Sequence, residues 1–292
     1  PENRVDIPLA KGIAQRVEGL ISAVSPKIIK SGVAERINEL EKKYGSLDWR
    51  VALKIAEEVA LQKFYKFDEK IKALETGIRV GLAYITLGVI SAPLEGFIEL
   101  RAKKRKDGKE YLSAFYAGPI RAAGGTAEAV SLIITDYVRL KTGYLPFDPT
   151  EKEIKRTIIE IRDYHERVTN LQYSPSDAEL EFLLRNLPIE INGDPTEEME
   201  VSNYKDLERI ETNRIRGGIC LVIAEGLAQK AKKVNKRIVK WGKEMGLEWE
   251  FLTEFLQIQK KAKAKDQKTE SKITPNYTYI KDLVAGRPVL SF

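Results

Sequence analysis

The chain has 292 residues, 43% of them hydrophobic and 32% charged, with 49 Lys and Arg against 43 Asp and Glu for a formal net charge of +6. That excludes a disordered polymer, leaves room for one large core or two modest ones, and favours polyanionic partners. A single cysteine, Cys220, excludes an internal disulfide framework, fits a reducing, cytoplasmic setting and reads as a small buried hydrophobe, while the single histidine, His165, has no second His or Cys beside it to make a zinc site.

Helical spacing governs roughly the first ninety residues. Ile13, Val17, Leu20 and Ile21 form one stripe, Val33, Ile37 and Leu40 a second, and Val51, Ile55 and Val59 a third with Asp48 as N-cap. A fourth helix is expected from about Asp68 through Ile85, where Gly77 and Gly81 leave room for a neighbouring helix. The most apolar stretch, Val80 to Leu94, is shorter than the roughly 20 residues a membrane crossing needs, so no membrane partner is expected. No signal peptide is visible, and the missing initiator Met points to a fragment.

After Pro93 the period changes to an alternation. Ile98, Leu100 and Ala102 point one way and Glu99, Arg101 and Lys103 the other, Asp107-Gly108 marks a turn, and Tyr111 to Tyr116 returns as a second strand. The tip from Lys103 to Lys109 carries five basic residues and one acid. It is either a solvated turn or a basic finger, with Lys104 and Arg105 on nucleic-acid backbone.

Helices resume at Thr126 to Lys141. Thr150 with Glu153 is a capping-box signal for a helix to about Leu171, and Ser176 to Arg185 is another helix. Pro188 to Ile191 reads as a short strand able to join the hairpin. A long helix is expected from about Gly218 to Met245, and the stretch from Gln259 to Lys272 reads as a Lys-rich linker or mobile arm. The fold class is therefore mainly α with a small antiparallel β element. The expected divisions are a helical region (1–92), a hairpin and helical core (93–258), a linker (259–276) and a truncated start of a further element (277–292).

Twice an arginine precedes a glycine pair that opens a helix: Arg121 before Gly124-Gly125-Thr126, and Arg214 and Arg216 before Gly217-Gly218. Glycines let amides turn toward a ligand, a helix N-terminus carries partial positive charge, and a guanidinium adds a fork of donors. Both corners are candidate phosphate seats, and both are also explained as tight turns, with Thr126 capping the first. The first corner lacks the Gly-Lys-Ser/Thr ending and the Mg²⁺-binding acid of a nucleotide-binding loop, which counts against a phosphotransferase. Downstream, Lys230, Lys232, Lys233, Lys236, Arg237, Lys240 and Lys243 follow one another with no acid between them. Lys232, Lys236 and Lys243 share a stripe opposite Ile219, Ile223 and Leu227, as a polyanion-binding face would. No carboxylate pair sits beside a glycine turn, His or Cys, so no catalytic residue and no cofactor or metal site is expected.

Several strings in order resemble the amino-terminal region of the large subunit of archaeal family D DNA polymerase. They are Tyr116-Ala117-Gly118-Pro119-Ile120-Arg121 with Gly124-Gly125-Thr126-Ala127, Asp163-Tyr164-His165 through Leu171-Gln172-Tyr173, Asn186 to Ile191, and Glu211-Thr212-Asn213 through Gly217-Gly218 to Ala224-Glu225-Gly226. The resemblance implies a replicative DNA-directed DNA polymerase subunit that works with a 3′–5′ exonuclease small subunit. It places the catalytic aspartates and their Mg²⁺ downstream, outside this chain, and leaves these residues DNA binding and assembly, with a second large subunit as a further partner. A pure assembly scaffold without DNA contact, drawing on the apolar stripes and on Gly77 and Gly81, is the alternative.

Overall fold

The computed structural model describes residues 12–270, so the expected element at 277–292 lies outside the described residues, as do positions 271–276 of the expected linker. The first helices are α1 (Ile13–Ile21), α2 (Val33–Tyr44), α3 (Trp49–Ala60) and α4 (Lys70–Ile85). The Asp48 side chain caps α3 by accepting from the Arg50 amide at 2.9 Å. Gly77 and Gly81 both face α3. A Cβ on Gly77 would run into the Ala56 carbonyl, and one on Gly81 would lie 3.0 Å from that of Ala52. The room those glycines leave is therefore filled by this chain's own helix, which removes them as support for docking a second subunit.

Past α4 the apolar stretch does not continue as helix. It turns at Thr86 to Ser91 and makes one π turn at Ala92–Gly96 before strand β1 (Phe97–Lys104). Arg79 fixes that turn. Its guanidinium is buried, pairs with Glu75 at 3.0 Å, and donates to the carbonyls of Pro93 and Phe97 at 2.7 and 2.6 Å.

Strand β1 pairs antiparallel with β2 (Glu110–Tyr116) as a hairpin, and β3 (Glu190–Gly193) joins β2 on its other edge. The third strand runs parallel to β2, with Ser113 opposite Glu190 and Tyr116 opposite Gly193, so the small sheet is mixed rather than antiparallel. Between β2 and β3 lie α5 (Gly125–Thr142), α6 (Glu151–Arg167) and α7 (Asp177–Asn186), the crossover length that a parallel pairing requires. The capping box at Thr150 and Glu153 opens α6, and an equivalent one at Ser176 and Glu179 opens α7.

Helix α5 is the central rod. Every residue from Ala127 to Arg139 is buried, because α3, α4, the sheet and the helices downstream surround it. Its N-cap is Gly124, at φ +75, and Thr126 is already inside the first turn, which corrects the expectation that Thr126 caps it. The long helix after Gly217 is continuous but not uniform: α8 (Gly217–Cys220), a π-helical stretch (Leu221–Ala228), then α9 (Gln229–Met245). Helix α10 (Phe251–Glu270) extends through most of the segment read as a linker. Lys, Gln, Ala and Glu are good helix formers, and Gln259 ties the helix down by donating to the Ala228 carbonyl and the Tyr173 hydroxyl, each at 3.0 Å. Among the described residues no helix is long and apolar enough to cross a membrane.

Candidate nucleic-acid interface

The two arginine and glycine turns have opposite fates. At the second, Arg216 is 1% exposed and both glycines are buried. Arg216 donates to Glu160 through Nη2 at 2.6 Å, Nε at 3.0 Å and its own amide at 2.7 Å, and to Asn192 Oδ1 at 2.6 Å. Arg156, equally buried, reaches the same Glu160 at 3.2 Å and also donates to the Thr212 carbonyl at 3.1 Å. The amide of Gly217 donates to Thr196 Oγ1 at 2.8 Å, and a Cβ on Gly218 would collide with the Tyr116 carbonyl. Arg216, Gly217 and Gly218 therefore lock α8 onto α6 and the sheet, which corrects the expectation of a surface corner there. Arg214 lies nearer the surface, but its Nε donates to the Glu197 carbonyl at 2.8 Å and its Nη2 pairs with Glu198.

The first turn is open. Arg121 and Gly124 are exposed and Gly125 and Thr126 half-buried at the start of α5. Gly125 permits close approach: a Cβ there would strike the Glu225 carbonyl and lie 2.8 Å from Lys230 Cε. Lys233 Nζ reaches Thr126 Oγ1 at 3.2 Å. The amino end of α5 and the basic helix α9 thus form one surface. Along α9, Lys232, Lys233, Lys236, Arg237, Lys240 and Lys243 are exposed while Val234, Ile238, Trp241 and Met245 are buried. None of these cations, nor Lys230, makes an ion pair among the described residues. Lys233 is engaged by Thr126 and the Arg237 guanidinium lies 5.5 Å from the Trp49 ring centre, while the exposed ammonium groups of Lys232, Lys236, Lys240 and Lys243 face solvent and are open to an external anion.

Beneath the open corner sit two carboxylates that motif reading did not assign. Glu225, 3% exposed, accepts from Arg121 Nη2 at 2.8 Å and from the Gln172 amide at 2.9 Å. Glu128, 1% exposed, has no hydrogen-bond partner on either oxygen, and the absent side chain of Gly226 leaves it room. Burial, reinforced by the charge of Glu225 and opposed by Arg121 and Lys230, pushes the Glu128 carboxyl up to about 8. Helical spacing alone hides this pair, because the π stretch shifts the register of Glu225 relative to α9.

Cys220 is buried, its thiol driven well above its ordinary value by desolvation, and His165 Nδ1 accepts the Leu171 amide at 3.0 Å. Among the described residues no group of three His, Cys, Asp or Glu is placed to hold a metal ion. Lys104 and Arg105 stand at the far end of β1, away from the α5 and α9 junction; Arg105 is pinned to the Pro146 carbonyl while the Lys104 ammonium is unpaired.

The described residues form a helical body around a mixed three-stranded sheet, with one open cationic corner where α5 meets α9. The chain belongs to the family described as DNA polymerase II large subunit DP2, N-terminal, whose sequence profile matches residues 1–258. It is 51% identical, over all of its length and 26% of the relative's, to the DNA polymerase II large subunit of Nanoarchaeum equitans. The corresponding figures are 45% and 25% for that of Methanococcoides burtonii, and 42% and 21% for that of Pyrococcus horikoshii. The chain thus spans about a quarter of the length of these relatives, at their amino-terminal end.

Proposed function

We propose that this chain is the DNA-contacting and assembly module of the large subunit of a replicative DNA-directed DNA polymerase, and that it is not itself catalytic. The contact face is the α5 corner, Arg121 with Gly124, Gly125 and Thr126, continued along Lys232, Lys236 and Lys243 of α9. One observation carries this reading: Lys233 bridges to Thr126 at 3.2 Å and so joins a helix N-terminus to a row of unpaired cations. On this reading the nucleotidyl transfer, with its Mg²⁺, belongs to parts of the protein outside this chain, and the complex works in the cytoplasm with a small subunit bearing 3′–5′ exonuclease activity.

Assembly, with that small subunit or a second large subunit, falls to residues 1–92. Of the six large apolar side chains exposed among the described residues, five lie there: Val24, Ile29, Leu47, Leu61 and Val89. A partner that covers them recovers the burial they lack.

The test is fluorescence anisotropy of a labelled primer-template against the 292-residue chain at several salt concentrations. Replacing Lys232, Lys236 and Lys243 by Glu is expected to weaken binding at least tenfold and to lower the log–log salt slope by about 0.9 for each lost duplex contact. Unchanged affinity and slope would remove α9 from the interface and leave the scaffold reading.

A further inference from the structure

The hairpin tip lies at the opposite end of α5 from the corner described above. Strand β2 runs from the tip toward that corner and α5 runs back, so that the Leu145 amide meets the Glu110 carbonyl at 3.0 Å. The 18 residues of α5 rise about 27 Å between the two ends.

Between the tip, the first turn of α6 and the loop at Leu207 to Arg209 is a cavity of about 350 Å³. Its floor is Arg209, whose guanidinium lies 5.5 Å from the Tyr111 ring centre and 5.1 Å from that of Phe147. Arg209 consumes the nearest acids, pairing with Asp148 at 2.7 Å and Glu153 at 2.6 Å. Both of those carboxyls are held below the usual range, their guanidinium and amide contacts overcoming the burial that would raise them. The other acids close by are matched too: Glu151 accepts from Arg185 at 2.7 Å, and Asp107 lies 3.4 Å from Arg105 Nε.

What is left over is positive. Lys104, Lys106 and Lys152 line the cavity, are exposed, and make no ion pair among the described residues; Glu208 is the one lining acid without a partner. Lysine ammonium groups are compact point charges suited to phosphate oxygens, and here they come from two separate elements to a hollow in which Leu207 is the one apolar residue of the lining.

We propose that this cavity is a second phosphate-binding site, taking a backbone phosphate of a nucleic-acid strand through Lys104, Lys106 and Lys152. The proposal rests on the reading of the chain as a DNA-contacting module but concerns a different surface. Arg209 serves as a positioning residue: it removes the local acids from competition and holds the α6 end of the cavity in place.

The experiment compares three forms of the 292-residue chain for binding a labelled oligothymidylate across a salt series: unaltered, K104A/K106A/K152A, and K232A/K236A/K243A. The cavity variant is expected to bind at least tenfold more weakly, with the log–log slope reduced by about 0.7 for each lost single-strand contact. Replacing the same three lysines by arginine should restore most of the affinity. Wild-type binding by the cavity variant, with weakened binding by the α9 variant, overturns this inference and leaves the module reading in place. No binding by the unaltered chain overturns both. Retention on phosphatidylserine vesicles, or competition by polyglutamate, that depends on the three lysines while oligothymidylate binding does not, overturns it in favour of another partner. Since these ammonium groups hold nothing within the fold, the thermal midpoint of the cavity variant is expected to match that of the unaltered chain.

Discussion

Two turns in this chain share a pattern, an arginine ahead of a glycine pair that opens a helix, yet Arg216 is 1% exposed while the Arg121 side chain is 39% exposed. The difference lies in what faces each. Glu160 on α6 and Asn192 on β3 converge on Arg216 from two elements and give each of its three side-chain nitrogens an acceptor. Arg121 has Glu225 alone, and of its two glycines Gly125 serves the approach of α5 to the downstream helix while Gly124 supplies a positive φ. A motif names the backbone it needs, but the elements packed around it decide whether it is a fastener or a surface.

The largest expected effect separates the turns by stability. Arg216→Ala strands Glu160 in the interior beside Arg156, and loss of one partner from a buried pair costs about 3–5 kcal/mol. Chemical denaturation of that variant should show such a loss or a chain that does not fold. Arg121→Ala leaves Glu225 its contact with the Gln172 amide, and because the Arg121 end of the pair is open to solvent it should cost less, about 1.5–3 kcal/mol. Equal losses for the two arginines would erase the distinction.

Next in size is a pH effect confined to the open turn. Glu128 keeps its proton to about pH 8 when folded, against an ordinary value of 4.5 when unfolded, so the folded chain binds more protons between those limits. The contribution of this group therefore favours folding below that window and declines as pH rises through it, by something on the order of 4 kcal/mol. Glu128→Gln, which keeps the shape and removes the titration, is expected to be more stable than the parent at pH 8.5 and to lose most of this slope. A parent whose stability does not fall between pH 5 and 8.5 relative to Glu128→Gln counts against a buried, unpartnered carboxyl.

A smaller effect concerns close approach. Gly125→Ala places a methyl against the Glu225 carbonyl and Lys230, so α5 and the helix after it must part slightly, at a cost of about 1–3 kcal/mol. Gly124 has open space around it but sits at φ +75 and ψ 149, a region essentially confined to glycine, and Gly124→Ala should cost about 1–3 kcal/mol from backbone strain alone. A melting midpoint for Gly125→Ala that matches the unaltered chain would show that packing is not what the second glycine serves.

Local rules read well from the sequence: the Asp48 cap, the capping box at Thr150 and Glu153, the hairpin after Pro93, and the exposed basic stripe on α9, whereas a bulge between Phe97 and Glu99 breaks the alternation of β1 and leaves Ala102 exposed. What did not read was whatever depends on a distant partner. Nothing near Arg216 in sequence announces Glu160, 56 residues away, and nothing in Pro188 to Ile191 says that β3 will run parallel to β2. The Lys-rich stretch after Gln259 resembled a linker because it is polar, yet its residues favour helix and Gln259 anchors it. The carboxylates under the open corner were hidden for the same reason, since α5 and the π stretch meet only in the folded chain.

The central claim, that nucleic acid follows the α5 corner and α9 and avoids the sealed turn, can be read position by position. The only cysteine, Cys220, is buried, so a photoreactive group can be attached to a cysteine placed at Ala122, Lys236 or Glu198 with little background. On illumination with primer-template DNA, positions 122 and 236 are expected to crosslink and position 198 to stay silent. Crosslinks from position 198 without any from 122 or 236 would contradict the account.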